Sequence, residues 1–223
     1  MSTRLFQFAP GEFYHIYNRG VEKRTIFLDQ FDYRRFTELL YAANTNHSTD
    51  LRSISRQHDW IYDWDRGESL VAIGAYCLMP NHYHMLLTPL VDKGVSLFMN
   101  KLGTSYSMYF NRRYNRTSAL FEGKFKAKHA TTDEYLKYLY SYIHLNPVKL
   151  MQPDWKEQGI QEPIAAFKYA QSYQYSSLQD MQSHSRPAAA IVDTTLFPEY
   201  FPTAAAQQSE LLSWLHYDDG VVE

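Results

Sequence analysis

Tyr76-Cys77-Leu78-Met79-Pro80-Asn81-His82-Tyr83-His84-Met85-Leu86-Leu87-Thr88 decides the fold. Two apolar, strand-like runs are joined by Pro80-Asn81, a pair suited to a tight turn. Strands this close are forced to be antiparallel neighbours. Side chains alternate along a strand, so His82 and His84 share one face and Tyr83 turns to the other, where it can pack. On their shared face the two imidazoles can hold one divalent metal.

Outward from this hairpin the remaining elements follow. Residues 11–18 read as a first strand, bounded by Pro10-Gly11 and Gly20. Residues 29–43 read as a helix: Phe36, Leu39, Leu40 and Ala43 keep helical spacing, and Asp29 or Asp32 supplies an N-terminal carboxylate. Residues 45–69 are polar and irregular, as an insertion loop would be. The strand before the hairpin spans 70–78. A long helix is expected over 94–114, a strand over 120–130, and a helix that starts at Thr132-Asp133-Glu134 and is stopped by Pro147. The order β-α-β-β-α-β-α predicts an α+β fold, an antiparallel sheet of the ferredoxin-like, split β-α-β kind with helices on one face. Residues 1–150 form the expected core domain. Residues 151–223, rich in Gln, Ser, Ala and Pro, form an acidic C-terminal extension, packed on the core or partly flexible, with 196–202 and 210–217 as its docking segments.

The 223 residues, 45% hydrophobic, suffice for one domain and an appendage. No apolar run reaches 18 residues, so no membrane span is expected. Met1 to Phe8 lacks a signal-peptide apolar region. The lone cysteine, Cys77, excludes an intramolecular disulfide and lies in a strand expected to be buried. A cytoplasmic protein is the simplest reading. The net charge of −2 hides an asymmetry. Residues 1–150 hold 19 Lys and Arg against 14 Asp and Glu, while 151–223 hold 3 against 10. The basic excess peaks over 101–128, where Arg112, Arg113, Lys124, Lys126 and Lys128 interleave with tyrosine and phenylalanine. Cations neutralise phosphates and aromatic faces stack on unpaired bases, so these five are the candidate DNA contacts. The plainer reading is a solvated helix face.

In the last helix, Leu136, Leu139, Tyr140 and Ile143 form a core stripe. Tyr135, Tyr138, Tyr142 and Asn146 form a second, about 90° away. A phenol and a carboxamide one turn apart suit a metal-assisted nucleophilic site: the Asn146 amide oxygen can complete a coordination shell begun by His82 and His84. Singly, each signal has a plainer reading, as packed histidines, a packing tyrosine and a helix C-cap.

Together these blocks resemble the single-tyrosine HUH transposases of the insertion sequence 200 type, most closely the REP-associated tyrosine transposases. The resemblance covers about residues 10–150 and runs through Gly11-Glu12-Phe13-Tyr14-His15-Ile16-Tyr17-Asn18-Arg19-Gly20, Asp32-Tyr33-Arg34-Arg35-Phe36, the histidine hairpin, Leu120-Phe121-Glu122-Gly123-Lys124-Phe125-Lys126, and Tyr142-Ile143-His144-Leu145-Asn146-Pro147. It implies His82, His84 and Asn146 as ligands of a divalent metal, Mg²⁺ or Mn²⁺, and Tyr142 as a nucleophile that forms a covalent 5′-phosphotyrosine. The implied partner is single-stranded DNA carrying hairpin, repetitive palindromic-type elements, met by a monomer or a homodimer. Two rivals keep the fold: a non-catalytic DNA-binding regulator, and a metal nuclease that activates water.

Overall fold

The computed structural model describes residues 7–48, 50–182 and 186–216. Its centre is a four-stranded antiparallel sheet of β1 (Phe13–Arg19), β2 (Val71–Met79), β3 (His82–Pro89) and β4 (Lys126–Ala130), in the order β2-β3-β1-β4. With α1 (Gln30–Ala42) after β1 and α3 (Gly94–Arg113) after β3, this is the split β-α-β arrangement. Asp29 caps α1 by accepting from the Phe31 and Asp32 amides. The insertion is less irregular than expected, since α2 (Leu51–Gln57) forms within it. The fourth strand is shorter than 120–130 suggested: only 126–130 pair with β1, and Phe121 makes a lone bridge to Gly20.

Strand parity divides the interior in two. Tyr14, Ile16, Ile73, Tyr76, Leu78, Tyr83, Met85 and Leu87 point into one core, filled by Phe36, Leu40, Phe98, Leu102, Tyr106 and Phe110 of α1 and α3. Ala75, Cys77, Met79 and Leu86 point to the opposite face, which α4 (Asp133–Leu145) covers with Leu136, Leu139, Tyr140 and Ile143. Helices therefore lie on both faces of the sheet rather than one, because the fourth helix carries its own apolar stripe to the side α1 and α3 leave bare. Tyr83 is buried in the first core, and Cys77 lies wholly buried in the second, its thiol pKa pushed up by burial.

Pro147 does not end helical backbone. Asn146 and Pro147 keep helical dihedrals and lead into α5 (Val148–Met151), because proline is tolerated in the first turn of a new helix. The extension continues with α6 (Trp155–Gln158), α7 (Pro163–Ser172), α8 (Leu178–Gln182) and α9 (Ala204–His216). Leu211 and Leu215 of α9 pack with Phe167, Trp155, Leu145 and Val148. The extension also seals the outer edge of β2: the Leu78 amide donates to the Tyr175 carbonyl (2.9 Å) and the Ser177 amide to the Tyr76 carbonyl (3.0 Å). At the irregularity between Ile73 and Ala75, a side chain on Gly74 would meet the Phe197 ring at 2.8 Å, so the missing Cβ is the space that ring occupies. Of the expected docking segments, Tyr217 lies outside the described residues.

Candidate functional site

His82 and His84 stand on the α4 face of β3. The register sets Tyr17 opposite His84 and Arg19 opposite His82 on one side, and Cys77 opposite His84 on the other. The two imidazole centroids lie 5.0 Å apart. Each ring is held through Nδ1: that of His82 lies 2.6 Å from Asn81 Oδ1, and that of His84 lies 2.8 Å from Nε2 of His15 on β1. With Nδ1 engaged, Nε2 is the atom each ring can offer to a ligand. Such backing of the far nitrogen fixes ring orientation and tautomer.

Tyr142, in the third turn of α4, brings its ring to 5.3 Å from His84 and 5.6 Å from His15, edge-on to both. Asn146 is one turn further. Its Nδ2 donates to the Tyr142 carbonyl at 2.8 Å, so the amide does cap the helix. Its Oδ1 is buried without a hydrogen-bond partner, and the side chain lies against His82. Capping by the nitrogen leaves the oxygen available, so the two readings of Asn146 are compatible. All four residues singled out in the sequence therefore meet at one place.

Electrostatics at the site favour neutral bases and anions. Burial, with help from Lys149, lowers the His82 pKa to about 4. Burial and Lys128 lower that of His15 to about 4. His84 is pushed well down by burial, the neighbouring imidazoles, Lys149 and Lys156. At neutral pH each of the three imidazoles is neutral and keeps one unprotonated nitrogen. Burial raises the Tyr142 pKa, with the Asn146 side chain opposing. Lys156 Nζ sits 4.8 Å from the Tyr142 ring centroid.

The basic candidates divide. Lys126 and Lys128 pair with Tyr17 and His15, so they stand on the histidine face, exposed, with Lys128 Nζ 4.6 Å from the Tyr135 ring. Lys124 is exposed just ahead of them. Arg112 is exposed near the end of α3, on the other side of the sheet. Arg113 is also exposed but is tied to carboxylates: it bridges Asp29 (2.6 Å) and the fully buried Asp32 (2.7 Å), which also accepts from the Tyr109 and Tyr114 hydroxyls. Its charge is largely spent on that network.

Sequence reasoning gave no role to His15, Lys149, Trp155 or Lys156. His15 shares a face of β1 with Tyr17, but only the β1–β3 register puts it beside His84. Among the described residues no group of three or more His, Cys, Asp and Glu is placed to hold a metal ion; the donors at hand are two imidazoles and a carboxamide. No described helix is long and apolar enough to cross a membrane.

No curated protein matches the chain significantly. Among solved structures, one described as a REP-associated tyrosine transposase bound to a REP hairpin aligns over 84% of this chain and 90% of that one, at 15% identity and a TM-score of 0.48. Residues 67–146 match the family described as "Transposase IS200 like". That segment, under half of the chain, holds His82, His84, Tyr142 and Asn146.

Proposed function

We propose that this chain is a metal-dependent endonuclease and strand transferase for single-stranded DNA, with Tyr142 as nucleophile and hairpin elements flanking the cut. The approach of the Tyr142 ring to 5.3 Å from His84, beside an Asn146 oxygen with no partner, carries the reading. An unpaired buried carbonyl next to two backed imidazoles fits a hard divalent cation, and His82, His84 and Asn146 are the residues that would hold it. Bound there, Mg²⁺ or Mn²⁺ would supply Lewis-acid polarisation of the scissile phosphate.

The chain's own groups do the rest. Burial keeps the two imidazoles neutral, and Asn81 and His15 hold them aimed. The Tyr142 oxygen forms a bond to phosphorus as the bond to the 3′-oxygen breaks, leaving a 5′-phosphotyrosine and, after the phenolic proton is transferred, a free 3′-hydroxyl. The free phenol has a pKa near 10 and burial raises it, so proton loss must accompany attack. Lys149 and Lys156, on the extension side, favour the incoming phosphate. The adduct retains the phosphodiester's free energy, so rejoining needs no nucleotide cofactor. Lys124, Lys126 and Lys128 extend the basic track from this centre along β4, with Arg112 a more distant contact. Hairpin recognition rests on the sequence resemblance.

The test is incubation of the purified protein with end-labelled single-stranded hairpin oligonucleotides and Mn²⁺, then denaturing electrophoresis. A protein–DNA adduct stable in SDS is expected, and none from Tyr142→Phe. Cleavage to a free 5′-phosphate that persists in Tyr142→Phe would favour water activation. Binding without cleavage across hairpin substrates would favour a regulator.

A further inference from the structure

The sheet order β2-β3-β1-β4 puts β1 between the histidine strand and the strand that carries Lys126 and Lys128. A DNA strand that runs from the histidines to those lysines must cross the same face of β1. Phe13, His15, Tyr17 and Arg19 of β1 share that face. Three of them are engaged. Phe13 packs on the Phe197 ring at 5.0 Å. His15 is buried behind His84. Arg19 is held by both oxygens of Glu122, at 2.8 and 3.1 Å. Tyr17 remains as a partly exposed ring.

Tyr17 stands in a row across the sheet, with His84 opposite it on β3 and the exposed Lys126 opposite it on β4. Paired strands lie about 4.8 Å apart, so the backbones of His84 and Lys126 are about 10 Å from each other with the phenol between them. The Tyr17 ring lies 5.0 Å from that of His15 and 5.9 Å from that of His84, tilted by 31° and 34°. The two imidazoles thus brace it. A braced ring loses little freedom when a planar partner settles on it. Glu122 also feels Lys126 but gives both oxygens to Arg19. A phosphate alone would need only the lysine. An aromatic face between a phosphate site and an ammonium suits a whole nucleotide, with its base on the ring.

We propose that Tyr17 is a positioning residue that stacks the base of the nucleotide next to the scissile phosphate, on the β4 side. The proposal rests on the reading of the chain as a single-strand DNA enzyme and names a contact that sets the path of the strand. A base anchored on Tyr17 would hold the neighbouring linkage at the histidines, in reach of the Tyr142 phenol. Every base has a π-face, so this contact supplies position rather than sequence choice.

The test measures binding apart from cutting. Fluorescence anisotropy is recorded for the uncleavable Tyr142→Phe protein in EDTA, with single-stranded oligonucleotides carrying one abasic site at each position in turn. One position should weaken binding about five- to 150-fold, the range for a lost base–aromatic stack. Adding Tyr17→Leu should weaken binding of intact DNA by a similar factor and abolish the effect of that abasic site. Adding Tyr17→Phe should preserve the abasic effect. Circular dichroism checks the fold of both variants. A purely structural role for Tyr17 would lower binding uniformly and leave the abasic penalty in place. That result overturns the proposal, as does a Tyr17→Phe protein that loses the penalty, or no sensitive position at all. A second readout leaves Tyr17 unchanged: 5-iodouracil at the sensitive position, irradiated in the complex, should crosslink to the peptide containing Tyr17, and a crosslink only to another peptide overturns the proposal. Adduct formation by the wild-type protein in Mn²⁺ is scored separately. Adduct without a Tyr17-dependent penalty removes the stack alone, whereas the penalty without adduct keeps Tyr17 as a base platform and refutes the enzyme.

Discussion

Replacing His15 by Phe isolates the contribution of the residue behind His84. The structure sets His15 Nε2 2.8 Å from His84 Nδ1, with both rings about 6% exposed. If His84 offers Nε2 to a metal, its Nδ1 carries the proton and donates to His15. Phenylalanine fills similar space, stays apolar toward Tyr17 and Tyr142, and leaves that N–H buried without an acceptor. An unsatisfied buried donor costs about 1–3 kcal/mol. Outer-shell losses of this kind lower metal affinity roughly 10–100-fold, about 1.4–2.8 kcal/mol, the same range reached from a different direction. Mn²⁺ titration followed by electron paramagnetic resonance measures the affinity, and urea unfolding in EDTA measures what the metal-free fold loses. The expected result is weaker Mn²⁺ binding by at least tenfold, with the stability of the metal-free protein changed by less than about 2 kcal/mol. Wild-type Mn²⁺ affinity in a folded His15→Phe protein would refute the role of His15 as the group that orients His84.

Other perturbations reach different parts of the structure. Arg113→Ala removes the cation from buried Asp32, which keeps the Leu28 amide and two tyrosine hydroxyls as donors, so a loss of about 3 kcal/mol is expected by chemical denaturation, with DNA affinity little changed. Lys126→Ala or Lys128→Ala should instead weaken single-strand binding for all sequences and reduce the salt slope by about 0.7 each, read from anisotropy at several salt concentrations. Burial holds His15 and His82 at about 4 and His144 at about 3 in the folded chain, against about 6.5 unfolded. The unfolded state therefore binds more protons between those values; stability should be level above pH 6.5 and fall by up to about 1.4 kcal/mol per group per unit as pH drops toward 4, measured as urea midpoints across pH. Gly74→Val forces the Phe197 ring off the sheet and should destabilise by about 1–3 kcal/mol in thermal or urea unfolding.

Much of the site was legible because it rests on local periodicity. A period of two put His82 and His84 on one face and buried Tyr83 on the other. A period near 3.6 separated the core stripe of α4 from the edge that bears Tyr142 and Asn146. What escaped depends on distant pairing. His15 is an ordinary strand histidine until the β1–β3 register sets it next to His84, 69 residues away. Arg113 looked like one of several free cations because its partners, Asp29 and Asp32, are more than 80 positions earlier. The second covered face of the sheet was missed for a related reason: an apolar helical stripe does not state which face it covers. Pro147 misled because proline ends a hydrogen-bond ladder yet is well suited to begin the next helix. The extension, poor in periodic pattern, gave little sign that it seals β2 and brings Lys156 beside Tyr142.

The central claim is that the Tyr142 phenol becomes joined to DNA. Protein incubated with a single-stranded hairpin oligonucleotide and Mn²⁺, digested with protease and nuclease, can be sequenced by tandem mass spectrometry. The account predicts a nucleotide phosphate on the peptide containing Tyr142 and on no other tyrosine. A modified Tyr138 or Tyr17, or cleaved DNA with every tyrosine unmodified, would contradict it.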